Sequence, residues 1–319
     1  MNMEDILWGI AIGDAFGAGI EFQDRDWIRA NVDFTKFINA RDRPFEQYHD
    51  WEYTDDTEMT LGLIKALISG REFTEDLLVE YWIREYEEDQ QIKGYGRAGH
   101  GSMRWVYSGE KDITWVRDYQ RNKEFPGNAP PMRAVPLGFL PENLIDAYAI
   151  INADATHPHP QARAASVLVA RAAQYVIVQK GNLQEIILHC SHFIQGLDQT
   201  TLDLLPQIDL LPPPDELDET GFALLCGKQP LDKFNIKGLG SDAMRTAACV
   251  LYILKYAHHT FDGFKNAIYM GGDVDSLASI CTGILAGRFG LDTIPAFMKE
   301  NVEGKEKIPL IAQQFIAYL

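Results

Sequence analysis

Apolar positions along this chain recur every three or four residues, the spacing that lines one face of a helix. In segment 57–69, Met59, Leu63, Ala66 and Leu67 share a face, and Gly70 follows as a stop. Segment 74–87 opens on Thr74 with Glu75 and Asp76 behind it, a cap and the acidic first turn that the helix dipole favours. Segment 161–179, rich in Ala, Val and Leu, is apolar on most faces, which predicts a central helix ending before Gly181-Asn182. Segments 183–194, 242–257, 263–269, 276–289 and 305–318 complete the predicted helices. Strict alternation of apolar and polar residues is almost absent, so the pattern builds no sheet. The expected architecture is all-α, a single domain of many helices over residues 1–319. Stretches 22–51, 116–141 and 205–218 read as irregular and are long enough to be functional loops.

Composition agrees with a globular chain carrying a sizeable core: 319 residues, 46% hydrophobic and 24% charged. The formal charge of −17 argues against duplex nucleic acid and anionic membranes as partners. It does not exclude an anionic small substrate, because bound divalent cations invert the local field. Cys190, Cys226, Cys249 and Cys281 are scattered without CxxC spacing, which predicts reduced thiols. The run Met1-Asn2-Met3-Glu4-Asp5 is acidic, unlike a signal peptide, and no apolar run reaches the ~20 residues that span a bilayer. These features predict a cytoplasmic location.

Two short acidic clusters change the picture. Tyr53-Thr54-Asp55-Asp56-Thr57 and Gly271-Gly272-Asp273-Val274-Asp275-Ser276 lie more than two hundred residues apart, each ahead of a predicted helix. Alone, each has a structural explanation: Thr-Asp-Asp-Thr is a good cap and Gly-Gly-Asp a good turn. At a helix start, however, cap and first-turn side chains fold back over unpaired N–H groups. Two facing starts would therefore bring four carboxylates and two hydroxyls to one point. Such hard oxygen donors suit Mg²⁺ or Mn²⁺ rather than Zn²⁺. Their repulsion calls for protonation, or for two divalent ions roughly 3.5–4 Å apart. A third segment, residues 11–21, has the glycine spacing of a nucleotide loop but no preceding strand and no following lysine. It reads as a closely packed helix with Glu21 at its end.

Taken in order, these motifs form a pattern: Gly-Asp-Ala-x-Gly-x-x-x-Glu from Gly13, Thr-Asp-Asp-Thr from Thr54, then Gly94-Tyr95-Gly96. Gly127-Asn128 with Met132-Arg133, Thr156-His157, and Gly-Gly-Asp-x-Asp-Ser from Gly271 follow. This succession resembles the ADP-ribosylglycohydrolase family, which includes the dinitrogenase-reductase-activating glycohydrolases, and it covers nearly the whole chain. The resemblance implies an orthogonal all-α bundle that uses two divalent cations, Mg²⁺ or Mn²⁺. It implies hydrolysis of the bond between C1 of the distal ribose of ADP-ribose and a modified acceptor, a protein side chain or a small molecule. The matching metal ligands are Thr54, Asp55, Asp56, Asp273, Asp275 and Ser276, and Glu21 matches a glutamate that closes over the site. Gly127, Asn128, Met132 and Arg133 match a loop holding the ADP part; His157 and Gly94-Tyr95-Gly96 match positions beside the substrate. The chain departs from the family pattern at Val274, at Glu58, and at Pro130 and Pro131, which remove two backbone donors from that loop.

The chemistry so implied is metal-assisted glycosidic hydrolysis, with Asp55 or Asp56 as general base toward water and Glu21 as a source of the leaving-group proton. Carboxylates also suit the positive charge that develops on the ribose. Arg133 and Arg97 are candidates to offset phosphate charge. Two other classes fit the same residues: a non-catalytic ADP-ribose-binding relative, and a dimetal nucleotide-diphosphate phosphohydrolase, which would release AMP. Neither the acceptor nor the oligomeric state is set by the residues.

Overall fold

The computed structural model describes residues 2–40, 49–89, 103–233 and 235–319. Among them the regular structure is helical, with isolated bridges and no strand. The first half contains α1 (Met3–Ala18), α2 (Arg25–Asn31), α3 (Asp55–Leu67), α4 (Glu75–Asp89), α5 (Arg104–Tyr107), α6 (Ile113–Arg121), α7 (Ala129–Met132) and α8 (Glu142–Asp154). The second contains α9 (Pro160–Ala173), α10 (Ile186–Ser191), α11 (Gln199–Asp209), α12 (Glu219–Cys226), α13 (Ala243–Tyr256), α14 (Thr260–Ile268), α15 (Val274–Phe289), α16 (Ala296–Asn301) and α17 (Lys307–Tyr318). None of these helices is long and apolar enough to cross a membrane.

The predicted helices are present, and the differences have local causes. Stretch 22–51 contains α2, a short helix opened by Asp24, whose carboxylate accepts from the Asp26 N–H at 2.8 Å. Helix α8 lies outside the predicted set because its buried stripe, Ile145, Ala149, Asn152 and Ala153, is interrupted by a polar residue. Helix α11 carries Pro206 inside it, so a residue that reads as a breaker sits in the last turns of a continuous helix.

The centre of the molecule is the pair α1 and α15, both buried along almost their whole length. Their backbones touch because the contact positions are glycines. A Cβ on Gly13 would stand 2.3 Å from the Ala278 carbonyl oxygen, and one on Gly17 would stand 2.5 Å from the Asp275 Cα. Helix α3 is fixed to α4 by the Trp82 indole N–H, which donates to the Met59 carbonyl at 2.9 Å. The buried Glu85 carboxylate of α4 pairs with Lys65 of α3 and with Lys307 of α17 at 2.6 Å. Phe16, at the C-terminal end of α1, packs on Phe34, Trp51 and Phe264 at centroid separations of 5.3–6.0 Å. These contacts hold the end of α1, the start of α3 and the start of α15 in one small region.

The Gly13 contact is with backbone, which cannot rotate away. Gly13→Ala is expected to lower stability by about 1–3 kcal/mol, read as a lower urea midpoint with an unchanged m-value. Wild-type stability in the variant would show that the two helices can separate without cost.

Candidate functional site

Helix α3 begins with Thr54 in an extended conformation as N-cap and Asp55 and Asp56 in the first turn. The cap is held from below by Asp14 of α1. One oxygen of Asp14 accepts from the Thr54 N–H at 2.9 Å and the Thr54 hydroxyl at 2.8 Å; the other accepts from the Thr57 N–H at 2.9 Å and hydroxyl at 2.6 Å. Asp14 is fully buried, and burial raises its pKa while the Thr57 and Thr54 hydrogen bonds pull it down. It thus anchors the helix start from which Asp55 and Asp56 project. Sequence reasoning assigned Asp14 no role. The available signal was an acid inside an otherwise apolar, glycine-rich helix, where burial demands hydrogen-bond partners.

Helix α15 begins at Asp273, after Gly271 and Gly272 at φ of 70° and 75°. Both turns lie against backbone: the Gly272 N–H donates to Gln23 O at 3.0 Å, and the Asp273 N–H donates to Leu239 O at 2.9 Å. A Cβ on Gly272 would stand 2.1 Å from that same Leu239 oxygen, so only glycine passes here. The clamp on the other side is residue 22, whose N–H donates to Gly272 O at 2.8 Å and whose φ is 56°. Glu21 is therefore carried by the chain segment that fixes the Asp273 loop.

The two helix starts converge. Oxygen atoms of Asp14, Asp56 and Asp275 lie within 4.8 Å of one another, and so do those of Glu21, Asp273 and Asp275. Asp56, Asp273, Asp275 and Ser276 are all buried. Burial, then the neighbouring Asp14, Asp55 and Asp273 carboxylates, hold the Asp56 carboxyl well above the usual range. Burial, then Glu21, Asp273 and Asp56, do the same to Asp275. The Oδ1 atom of Asp56 is buried without a hydrogen-bond partner. Crowded carboxylates with an unused oxygen fit a hard divalent cation, and this donor set matches Mg²⁺ or Mn²⁺.

The cluster forms the floor of a cleft of about 610 Å³, whose walls include Glu21, Asp55, Gly127, Asn128, Met132 and His157. Thr54 stands behind that floor, engaged with Asp14. The Asn128 amide donates to Asp273 at 3.3 Å and to Thr246 Oγ1 at 3.2 Å, so it steadies a floor carboxylate. His157 is buried, and burial followed by nearby Arg133 and Lys123 lowers its pKa well below the ordinary value; the ring is neutral. Thr156 Oγ1 accepts from Arg133 at 2.8 Å and lies 2.7 Å from His157 Nδ1. This pattern assigns the hydroxyl proton to Nδ1 as acceptor and leaves the ring proton on Nε2, the nitrogen that faces Gly127. Gly94, Tyr95, Gly96 and Arg97 lie outside the described residues.

Arg133 is a correction to the sequence expectation. It is fully buried, donates to the Asn152 side chain at 2.7 Å and to Asn152 O at 3.0 Å, and lies over the Trp82 ring at 3.8 Å. Desolvation pushes its pKa down to about 9, with the Tyr107 and Asp55 charges acting in the opposite sense. Its guanidinium braces the helices behind the cleft and is not part of the cleft wall. Val274 is likewise buried in the apolar core. The lining also includes residues that sequence reasoning passed over: Arg104, Trp105, Tyr119, Lys123 and Lys233.

A family model described as ADP-ribosylglycohydrolase matches residues 3–319. ADP-ribosylhydrolase ARH3 of Mus musculus is 23% identical over 282 residues, which cover 82% of this chain and 76% of the mouse protein. ADP-ribosylarginine hydrolase Tri1 of Serratia proteamaculans is 25% identical over 316 residues, covering 97% of this chain and 77% of that protein. A solved structure, an ADP-ribosylglycohydrolase-related protein complex, superposes with a TM-score of 0.60 at 19% identity over 99% of each chain. At that identity the likeness is one of fold.

The raised carboxyls set a sign for stability against pH. A carboxyl with a folded-state pKa above its unfolded value near 3.8 binds more protons when folded. Metal-free stability therefore rises as pH falls through the raised pKa values and is lost as pH climbs through them. Asp275→Asn is expected to flatten that dependence, to raise the metal-free Tm at neutral pH, and to abolish the Tm increase on adding Mn²⁺. An Mn²⁺ shift of wild-type size in the variant would remove Asp275 from the ion site.

Proposed function

The chain belongs to the ADP-ribosylglycohydrolase family, and on that premise we propose that it hydrolyses the glycosidic bond between ADP-ribose and a modified acceptor, a protein side chain or a small molecule. The observation that carries the reading is the meeting of two helix N-termini at buried carboxylates, with Asp56 Oδ1 left unsatisfied. Thr54, Asp55, Asp56, Asp273, Asp275 and Ser276 are the residues that would hold two divalent cations. Bound there, Mg²⁺ or Mn²⁺ would supply Lewis acidity toward the ribose hydroxyls and cancel the repulsion within the floor.

The chain's own residues account for the remaining steps. Asp55, half-buried on the cleft wall, is the general base that draws a proton from the attacking water. Asp56, deeper and ringed by acids, is suited to holding charge rather than moving a proton. The carboxylate floor stabilises the oxocarbenium-like ribose as the bond to the acceptor lengthens. Glu21, whose carboxylate lies beside Asp273 and Asp275, would give the departing acceptor its proton. The His157 Nε2–H is a neutral donor on the neighbouring wall and suits a substrate oxygen. The name of the Serratia proteamaculans relative makes ADP-ribosylated arginine an acceptor worth testing first.

The test is release of ADP-ribose from ADP-ribosyl-arginine and ADP-ribosyl-serine peptides with Mg²⁺, Mn²⁺ or EDTA. Metal-dependent release is expected, with Asp55→Ala reducing kcat by ~10²-fold or more. AMP as the product would assign the site to phosphoanhydride cleavage. ADP-ribose binding without turnover on any acceptor would assign it to a binding-only relative.

A further inference from the structure

One part of the cleft lining differs from the floor in sign. Arg104 on α5, Lys123 just beyond α6, and Lys233 in the loop before α13 all line it. Arg104 and Lys123 are held by rings rather than by acids. The Arg104 guanidinium lies 4.2 Å from the Trp105 ring centroid and the Lys123 ammonium 5.0 Å from that of Tyr119. Among the described residues neither forms an ion pair. Trp105 and Tyr119 are themselves locked against Trp115, at centroid separations of 5.0 and 5.1 Å. A ring orients a cation without cancelling its charge, so these positions keep their full field. Asp232, the acid in this part of the lining, is engaged by Lys228 at 3.0 Å. Burial, then the charges of Arg104 and Lys233, depress the Lys123 pKa.

The adjoining part of the cleft explains why side chains are needed. The Gln120 side chain of α6 accepts from the Gly127 N–H at 3.3 Å, and α7 follows, with Ala129-Pro130-Pro131 as its first turn. A helix start on a cleft ordinarily offers several free N–H groups to an anion, but the two prolines have none.

We propose that Arg104, Lys123 and Lys233 form the subsite for the diphosphate of the substrate, supplying by side-chain charge the donors that Pro130 and Pro131 remove from the backbone. The assignment rests on the glycohydrolase reading for the identity of the ligand. It adds which side chains receive the phosphates and by what chemistry. Trp105 and Tyr119 are positioning residues that hold two of the cations over the cleft.

The experiment is calorimetric titration of ADP, which lacks the distal ribose, into the full chain in EDTA at low and at moderate salt. Wild type is expected to bind ADP with an affinity that falls as salt rises. Lys123→Gln and Arg104→Gln are each expected to weaken binding by about 10-fold, while Lys123→Arg stays close to wild type. In the peptide assay the Gln variants should raise KM and leave kcat nearly unchanged. Unchanged ADP affinity in both Gln variants, or no ADP binding by wild type, overturns the subsite. Lys123-dependent ADP binding in a protein that releases no ADP-ribose would keep the subsite and overturn the reaction; turnover with ADP affinity untouched by the variants would do the reverse.

Discussion

Helices α1 and α15 touch backbone to backbone, and the placement of every acid in the floor depends on that contact. At Gly13 and Gly17 there is no room for one further carbon between the two helices. The approach brings the end of α1 under the start of α15, so that Asp14 and Asp275 face the same point. Asp14 then reaches across to the backbone and hydroxyls of Thr54 and Thr57 and sets the start of α3 beside them. Wider spacing between α1 and α15 would leave three capped helices and no common floor.

The cluster this creates works against folding. Burial and like charge both disfavour the ionised forms of Asp56 and Asp275, and Asp56 keeps an oxygen with no partner. The surrounding structure holds the acids in place through rigid groups that do not titrate in this range: the Gly271-Gly272 turn clamped between Gln23 and Leu239, and the Asn128 amide on Asp273. Strain and unsatisfied polarity of this kind gather where a ligand is to be received. The neutral His157 lines the wall without adding charge to it, and the deeply buried Arg133 braces the helices behind it.

The cleft thus carries both signs of charge, with buried acids at the bottom and ring-held cations elsewhere in its lining. A substrate that carries a neutral sugar at one end and phosphates further along matches that arrangement. Pro130 and Pro131 stiffen α7 and are themselves buried.

Much of this was legible in the sequence because it is local. Periodicity marks helices such as α3, α13 and α15; Thr54 followed by Asp55 and Asp56 marks a helix start; Gly271-Gly272 marks a turn that needs positive φ. The ordered motifs from Gly13 to Ser276 pointed to the family. Partners separated by long stretches of chain were not legible. Nothing next to Asp14 in sequence shows that it will serve Thr54 and Thr57, and nothing next to Arg133 shows that Asn152, Thr156 and Trp82 will draw it inward. Arg104, Lys123 and Lys233 look like ordinary solvated charges until α5, α6 and the loop before α13 are placed around one cleft. A cap or a turn is decided by φ and ψ over a few residues, whereas the direction of a long charged side chain is decided by which distant groups can solvate it, and only the packed helices determine that.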